Sequence, residues 1–251
     1  MLIEFEAKDG IGYITLNRPE ALNALNHELQ GDLEGILEKV AADENVRVVI
    51  ITGRGKAFCA GSDIKDLDGV TVSEADRIVR REARICGRIE QLPQPAIAAV
   101  NGYALGGGCA LALSHDIVIA SEAATFGFPE VKLGWNPPYH MAQLLGAVGK
   151  VVAKELLLTG RMVGASEALK IGLVSRVVQP GELMSAAESI AREIAGNPPE
   201  AVWAIKEIIN NEDSFSYPAG VDYETRAFDV CFNAEEAKEK IKAFLERKGK
   251  T

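Results

Sequence analysis

Apolar and polar residues alternate along 2–7 (LIEFEA) and 11–16 (IGYITL), on either side of Lys8-Asp9-Gly10. A period of two flanking a D-G pair predicts a β-hairpin. Beyond Pro19 the period lengthens: Leu29, Leu33, Ile36, Leu37 and Val40 recur at helical spacing, with Asn26 ahead of them as an N-cap. Val46–Thr52 (VRVVIIT) is a β-branched run stopped by Gly53-Arg54-Gly55, which suits a buried strand entering a loop. Ser73–Leu92 returns to helical spacing, with Ile78, Ile85, Ile89 and Leu92 on one side and Ser73 with Asp76 as a capping box. Pro93 and Pro95 end it.

A strand (96–100, AIAAV), a glycine-rich turn, a short apolar helix (109–114, CALALS) and another strand (116–121, DIVIAS) follow. Strand, turn and helix thus recur without a fixed sequence period. This predicts successive β-β-α turns wound into a spiral, each burying its apolar face on the next. A doubly wound sheet is the competing topology, but it lacks the G-x-G-x-x-G turn of a dinucleotide site. After Asn197-Pro198-Pro199 the pattern is purely helical, at 200–210, 218–231 and 234–248. The expected organisation is a core over 1–196 and a helical C-terminal region over 197–251, whose apolar faces need the core or a neighbouring subunit.

Composition narrows the function classes. The 36 acidic residues exceed the 27 basic ones, for a formal charge of −9. This argues against a general nucleic-acid or anionic-membrane binder, since both need a cationic surface. Neither a leader-like start nor an uninterrupted apolar run of about 18 residues is found, so a cytoplasmic location is expected. Cys59, Cys86, Cys109 and Cys231 have neither zinc-site nor disulfide spacing, and His27, His115 and His140 form no metal motif. Reduced thiols and no metal are expected.

Two turns carry candidate chemistry. In Lys56–Lys65 (KAFCAGSDIK), Ala60, Gly61 and Ser62 would let a ligand approach main-chain N–H groups, and a helix starting at Asp63 would add unpaired donors. In Val100–Ala110 (VNGYALGGGCA), three glycines open a helix after a strand, so a bare N–H at Gly107 could stabilise an anion on oxygen. A phosphate is a poorer fit, because the Lys-Ser/Thr of a phosphate-binding loop is missing. Each turn alone could also serve only close packing. The pair, in this order and about 45 residues apart, is the more specific signal.

With these turns the chain resembles the enoyl-CoA hydratase/isomerase (crotonase) family along almost its whole length. The resemblance is carried by Asn17-Arg18-Pro19 with Ala21–Leu25, Ala57–Lys65, Asn101-Gly102 with Gly106-Gly107-Gly108, Phe126–Glu130 (FGFPE) and Ala168–Val174 (ALKIGLV). It implies an α/β crotonase-like spiral of β-β-α units with a helical C-terminal region, assembled as a homotrimer or a dimer of trimers. It also implies an acyl-CoA substrate, coenzyme A being part of that substrate and no further cofactor being needed. The family's two oxyanion-hole N–H groups fall on Ser62 and Gly107, and its proton-transferring acid on Glu130. CoA and acyl contacts fall on Phe58, Ala60, Ser62, Asp63, Ile64, Lys65, Gly106, Gly107, Trp135 and Tyr139, with Phe244 and Arg247 near the C-terminus. Negative charge on a thioester oxygen is what two preorganised donors would stabilise.

One family feature is missing. Hydratases of this family usually carry a second glutamate shortly after the glycine triplet, where this chain has Ala110. A single base can take a proton from C2 of an acyl chain and return one to C4. Isomerisation of 3-enoyl-CoA to 2-enoyl-CoA is therefore the first reading. A hydratase, or a hydratase-lyase resembling those acting on hydroxycinnamoyl-CoA, is the alternative. A non-catalytic CoA-binding protein is the second alternative. Gly134–His140 (GWNPPYH) replaces the small residues usual in hydratases, so Trp135, Tyr139 and His140 either reshape the acyl pocket or pack core or interface, the commoner role of large aromatics. Tyr139 or His140 is also a candidate second proton-transfer group.

Overall fold

The computed structural model describes residues 1–211, 223, 225–228, 230–231, 234–235 and 238–240. Strands β1 (Ile3–Lys8) and β2 (Ile11–Leu16) form the expected hairpin, with Lys8 opposite Ile11. Asp9 and Gly10 have φ of 52° and 79°, the two left-handed residues that a tight turn between twisted strands requires. Helix α1 (His27–Ala41) begins at Asn26, whose side chain accepts from the Leu29 N–H at 2.9 Å.

Strands β3 (Val48–Gly53) and β4 (Ala57–Cys59) follow, then the short helix α2 (Ile64–Leu67) and the long helix α3 (Val72–Glu90). The cap of α3 differs from the one expected. Thr71 accepts from the Glu74 N–H while the Glu74 carboxylate accepts from the Thr71 N–H at 2.8 Å, two residues before Ser73 and Asp76. Glutamate has one methylene more than aspartate, and that length lets it reach back to the cap.

Strands β5 (Ala96–Val100) and β6 (Tyr103–Leu105) lead into α4 (Gly107–Leu113), and β7 (Ile117–Ser121) and β8 (Thr125–Gly127) into a 3-10 turn at Pro129–Leu133. Helix α5 (Met141–Thr159) is broken at Gly149, which has φ 73° and ψ 162°. The unit is completed by β9 (Val163–Gly164), α6 (Ala165–Lys170), β10 (Arg176–Val178) and α7 (Leu183–Ala195), before α8 (Pro199–Asn211). Helix α4 starts two residues before the apolar run that predicted it, because glycine's poor helix propensity is overridden by packing.

The strands form two sheets, β1-β2-β3-β5-β7-β10 and β4-β6-β8-β9. Within them β3, β5 and β7 are mutually parallel, and so are β4, β6 and β8. Three successive passes therefore lay one strand in each sheet before returning through helix, which is a spiral of β-β-α units. Strands advance across each sheet in chain order, without the reversal of a doubly wound sheet. All of β5 is buried, as an apolar run covered on both faces should be.

The chain divides into two compact units, Met1–Ala191 and Arg192–Thr251. Most of the helices expected over 218–231 and 234–248 lie outside the described residues. Among the described residues no helix is long and apolar enough to cross a membrane.

Candidate active site

Parallel pairing of β4 with β6 brings together the two turns that follow these strands. Gly61 has φ 90°, and a Cβ there would lie 2.6 Å from the Leu105 carbonyl oxygen and 3.0 Å from the Gly107 nitrogen. A Cβ on Gly108 would collide with the Cys59 carbonyl. The glycines are thus required by backbone meeting backbone.

Around this junction several main-chain donors are already committed. The Leu25 N–H donates to Gly61 O at 2.8 Å and the Asp63 N–H to Leu25 O at 3.4 Å, which pins the first turn. The Cys109 and Ala110 N–H groups donate to Gly106 O at 2.9 and 3.0 Å, which pins the second. Among the described residues neither the Ser62 nor the Gly107 N–H makes a hydrogen bond. The first donor does not come from a helix start as expected. Helix α2 has only four residues, and its N-terminus is already capped by Asp63, whose carboxylate accepts from the Lys65 N–H at 3.1 Å.

Glu130 follows β8, which pairs with β6. A Cβ on Gly106 would lie 2.9 Å from Glu130 Oε1, so the carboxyl packs on the residue preceding Gly107. Its Oε2 is buried without a hydrogen-bond partner. Burial raises its pKa, opposed by its own backbone N–H. Such a carboxyl holds its proton closer to neutrality than an exposed glutamate does.

The other expected site residues divide into two sets. Ile64 (53% exposed), Lys65 and Trp135 (39% exposed) come together, and with Leu67 and Asp68 they line an open groove of about 360 Å³. Phe58 and Asp63 are committed elsewhere. The Phe58 ring is buried edge-on against His115, so only its main chain is left for a ligand. Asp63 is paired with Arg18 at 2.6 Å. Burial alone would raise its pKa, but Arg18 and the Lys65 N–H outweigh it and hold the carboxyl below its ordinary value. Ala60 is half-buried and donates its N–H to Leu22 O at 3.0 Å. Phe244 and Arg247 lie outside the described residues.

Ala110, fully buried in α4, has no side chain able to carry a proton. A carboxyl that sequence reasoning missed stands nearby. Glu82 of α3 is wholly buried, and its Oε2 accepts from Ser62 Oγ at 2.7 Å and Tyr139 Oη at 2.8 Å. Gln30 Nε2 donates to its Oε1 at 3.4 Å. Burial pushes Glu82 up to about 7, against the lowering effect of the two hydroxyls. The Tyr139 hydroxyl lies against Gly107, where any Cβ would collide with it. A signal was available: Glu82 falls four residues after Ile78 and three before Ile85, an acid on the apolar face of its own helix.

Cys59, Cys86 and Cys109 are free and buried, and burial raises all three thiols, Cys59 and Cys109 to about 12. None is a ready thiolate. Among the described residues no group of His, Cys, Asp and Glu is arranged to hold a metal ion.

The family profile described as Enoyl-CoA hydratase/isomerase matches residues 6–251. The chain is 41% identical over 250 residues to a short-chain-enoyl-CoA hydratase of Clostridium acetobutylicum, covering 99% of this chain and 95% of that one. It is also 41% identical over 250 residues to a probable mitochondrial enoyl-CoA hydratase of Dictyostelium discoideum, covering 98% and 88%. The crystal structure of enoyl-CoA hydratase from Bacillus anthracis superposes with a TM-score of 0.95 at 38% identity, over 98% of this chain and 97% of that one. With two bare donors at Ser62 and Gly107 and an acid at Glu130 on a spiral β-β-α core, the chain belongs to the enoyl-CoA hydratase/isomerase family.

Proposed function

We propose that the protein is an enoyl-CoA hydratase, adding water across the 2,3 double bond of an acyl-CoA. The carrying observation is the junction itself, two acceptor-free N–H groups beside a partly buried carboxyl. On this reading the thioester oxygen sits between the N–H groups of Ser62 and Gly107 and gains negative charge as water attacks C3. Preorganised donors contribute most when that charge develops. Glu130 takes the proton of the attacking water. The groove of Ile64, Lys65 and Trp135 takes the CoA portion, with Lys65 toward its phosphates. The names of the relatives support hydration as the direction.

Ala110 favours a second reading, isomerisation of 3-enoyl-CoA to 2-enoyl-CoA, because Glu130 alone could shuttle a proton from C2 to C4. On either reading the unit at work is a homotrimer or a dimer of trimers, and coenzyme A enters only as part of the substrate. The deciding experiment presents matched 2-enoyl- and 3-enoyl-CoA of several chain lengths in heavy-oxygen water, with products read by mass spectrometry. Hydration predicts one heavy oxygen in a 3-hydroxyacyl product. Conversion of 3-enoyl-CoA without oxygen uptake would replace hydration with isomerisation.

A further inference from the structure

We propose that Tyr139, with Glu82 behind it, is the second proton-transfer group of this site and replaces the carboxylate absent at Ala110, a role that rests on the acyl-CoA reading above. One oxygen, Glu82 Oε2, ties the two donor turns together. It is bonded at 2.7 Å to the hydroxyl of Ser62 and at 2.8 Å to that of Tyr139, which lies against Gly107. Position 110 stands three residues after Gly107, on the same face of α4. A glutamate at 110 would extend from the face where the Tyr139 hydroxyl already lies.

Burial supplies the rest. A fully buried carboxyl, with no cation beside it among the described residues, keeps its proton more readily than an exposed one. The groups facing Glu82 are Gln30 of α1, Ser62, Asp66 of α2, Tyr139, and the thiols of Cys59 and Cys86. None is basic. Neutral Glu82 can therefore donate to the Tyr139 oxygen and free the phenol proton for the substrate.

In hydration, water attacks C3 while Glu130 takes one of its protons, and the electron pair of the C2–C3 double bond moves into the enolate. The enolate then forms a C2–H bond with the phenol proton of Tyr139, whose oxygen takes the proton of Glu82. Glu130 ends protonated and Glu82 ionised, and exchange with solvent resets both.

The test compares wild type, Tyr139→Phe, Glu82→Gln and the double variant Tyr139→Phe/Ala110→Glu. Each is assayed with 2-enoyl- and 3-enoyl-CoA in heavy-oxygen water, and separately in deuterium oxide for label at C2 and C4. Tyr139→Phe keeps the ring and is expected to lower kcat about 100-fold, with the Kd of a saturated acyl-CoA within about threefold. The wild type is expected to lose kcat above about pH 7, and Glu82→Gln should lose a similar factor to Tyr139→Phe and flatten that decline. A carboxyl at 110 should recover at least about tenfold in the Tyr139→Phe background. If Glu82→Gln fails to fold, Tyr139→Phe decides alone.

A Tyr139→Phe enzyme within about threefold of wild type, both in turnover and in C2 deuteration, overturns the proposal. So does a wild type that hydrates 2-enoyl-CoA in deuterium oxide yet places no deuterium at C2. Absence of heavy oxygen from the wild-type product overturns the hydration reading only, since isomerisation returns its proton to C4 and the effect of Tyr139→Phe on deuterium at C4 still measures its part in proton transfer.

Discussion

Substituting Gly61 by alanine tests whether the two turns act as one unit. The added methyl would lie 2.6 Å from the Leu105 carbonyl oxygen and 3.0 Å from the Gly107 nitrogen, where ordinary contact begins at 3.4 Å. One turn must retreat by about 0.8 Å, and neither contact is with a flexible side chain. At φ 90° an L-residue is also strained, by about 1–3 kcal/mol. Overpacking adds about 1–3 kcal/mol. The expected loss of stability is about 2–6 kcal/mol, measured as the shift in a urea unfolding midpoint at constant slope.

The effect on turnover follows from geometry. A donor displaced by nearly an ångström from the developing oxyanion costs about 100-fold in kcat. Ser62→Ala is the control, because it removes the hydroxyl bonded to Glu82 but leaves the main-chain N–H in place. It should cost about 0.5–1.5 kcal/mol in stability. If Gly61→Ala is destabilised as expected yet keeps kcat within about threefold of wild type, the spacing of the turns is not what the reaction needs, and the oxyanion assignment fails with it.

Three further outcomes are expected. Glu130→Gln should lower kcat about 10²–10⁴-fold in a steady-state thioester assay, with a thermal midpoint at or slightly above wild type, because the amide removes an acid whose ionisation burial opposes. Asn23→Ala should cost about 2–4 kcal/mol in urea unfolding: the buried side chain accepts from the Arg18 N–H at 2.8 Å and donates to Ala57 O and Arg54 O at 2.8 and 3.1 Å, and of these Ala57 O would keep only the longer bond from Asn101 Nδ2 at 3.3 Å. Glu82 is raised from 4.5 to about 7, so the folded state binds its proton more tightly than the unfolded state and stability falls as pH rises across that window. Glu82→Gln should flatten that slope in unfolding titrations at a series of pH values, and an unchanged slope would refute the assignment.

Most of the fold was legible because local and tertiary forces agree in it. The D-G turn between alternating segments could hardly form anything but the β1–β2 hairpin, and all five apolar positions of α1 are buried, with the polar Gln30 among them. Legibility fell where two local signals competed. Ser73 and Asp76 resemble a cap, but the longer Glu74 closes a box with Thr71 and starts α3 earlier. Glycine propensity argues against helix at Gly107-Gly108, yet the Cys59 carbonyl lies so near Gly108 that no side chain could take its place.

The candidate site was legible in the same uneven way. Glycine clusters announce close backbone approach, so the turns at Ser62 and Gly107 could be located before their contact was known. Exposure is less readable: the motif points to Phe58 and Asp63 as ligand contacts, but packing holds the Phe58 ring and Arg18 holds the Asp63 carboxylate. Glu82 was hidden for another reason. Its charge sits in the apolar stripe of α3, but a single acid in a helix gives no sign of what lies opposite, and its partners come from residues 20 and 57 positions away. A carboxylate there would be an error in a core built only for packing, since desolvation without a cation is costly. The two hydroxyls that answer it belong to a donor turn and to the bulky segment after Glu130. The cost of burying that acid therefore falls beside the Ser62 and Gly107 turns, and this placement is what sets Glu82 apart from an ordinary buried polar residue.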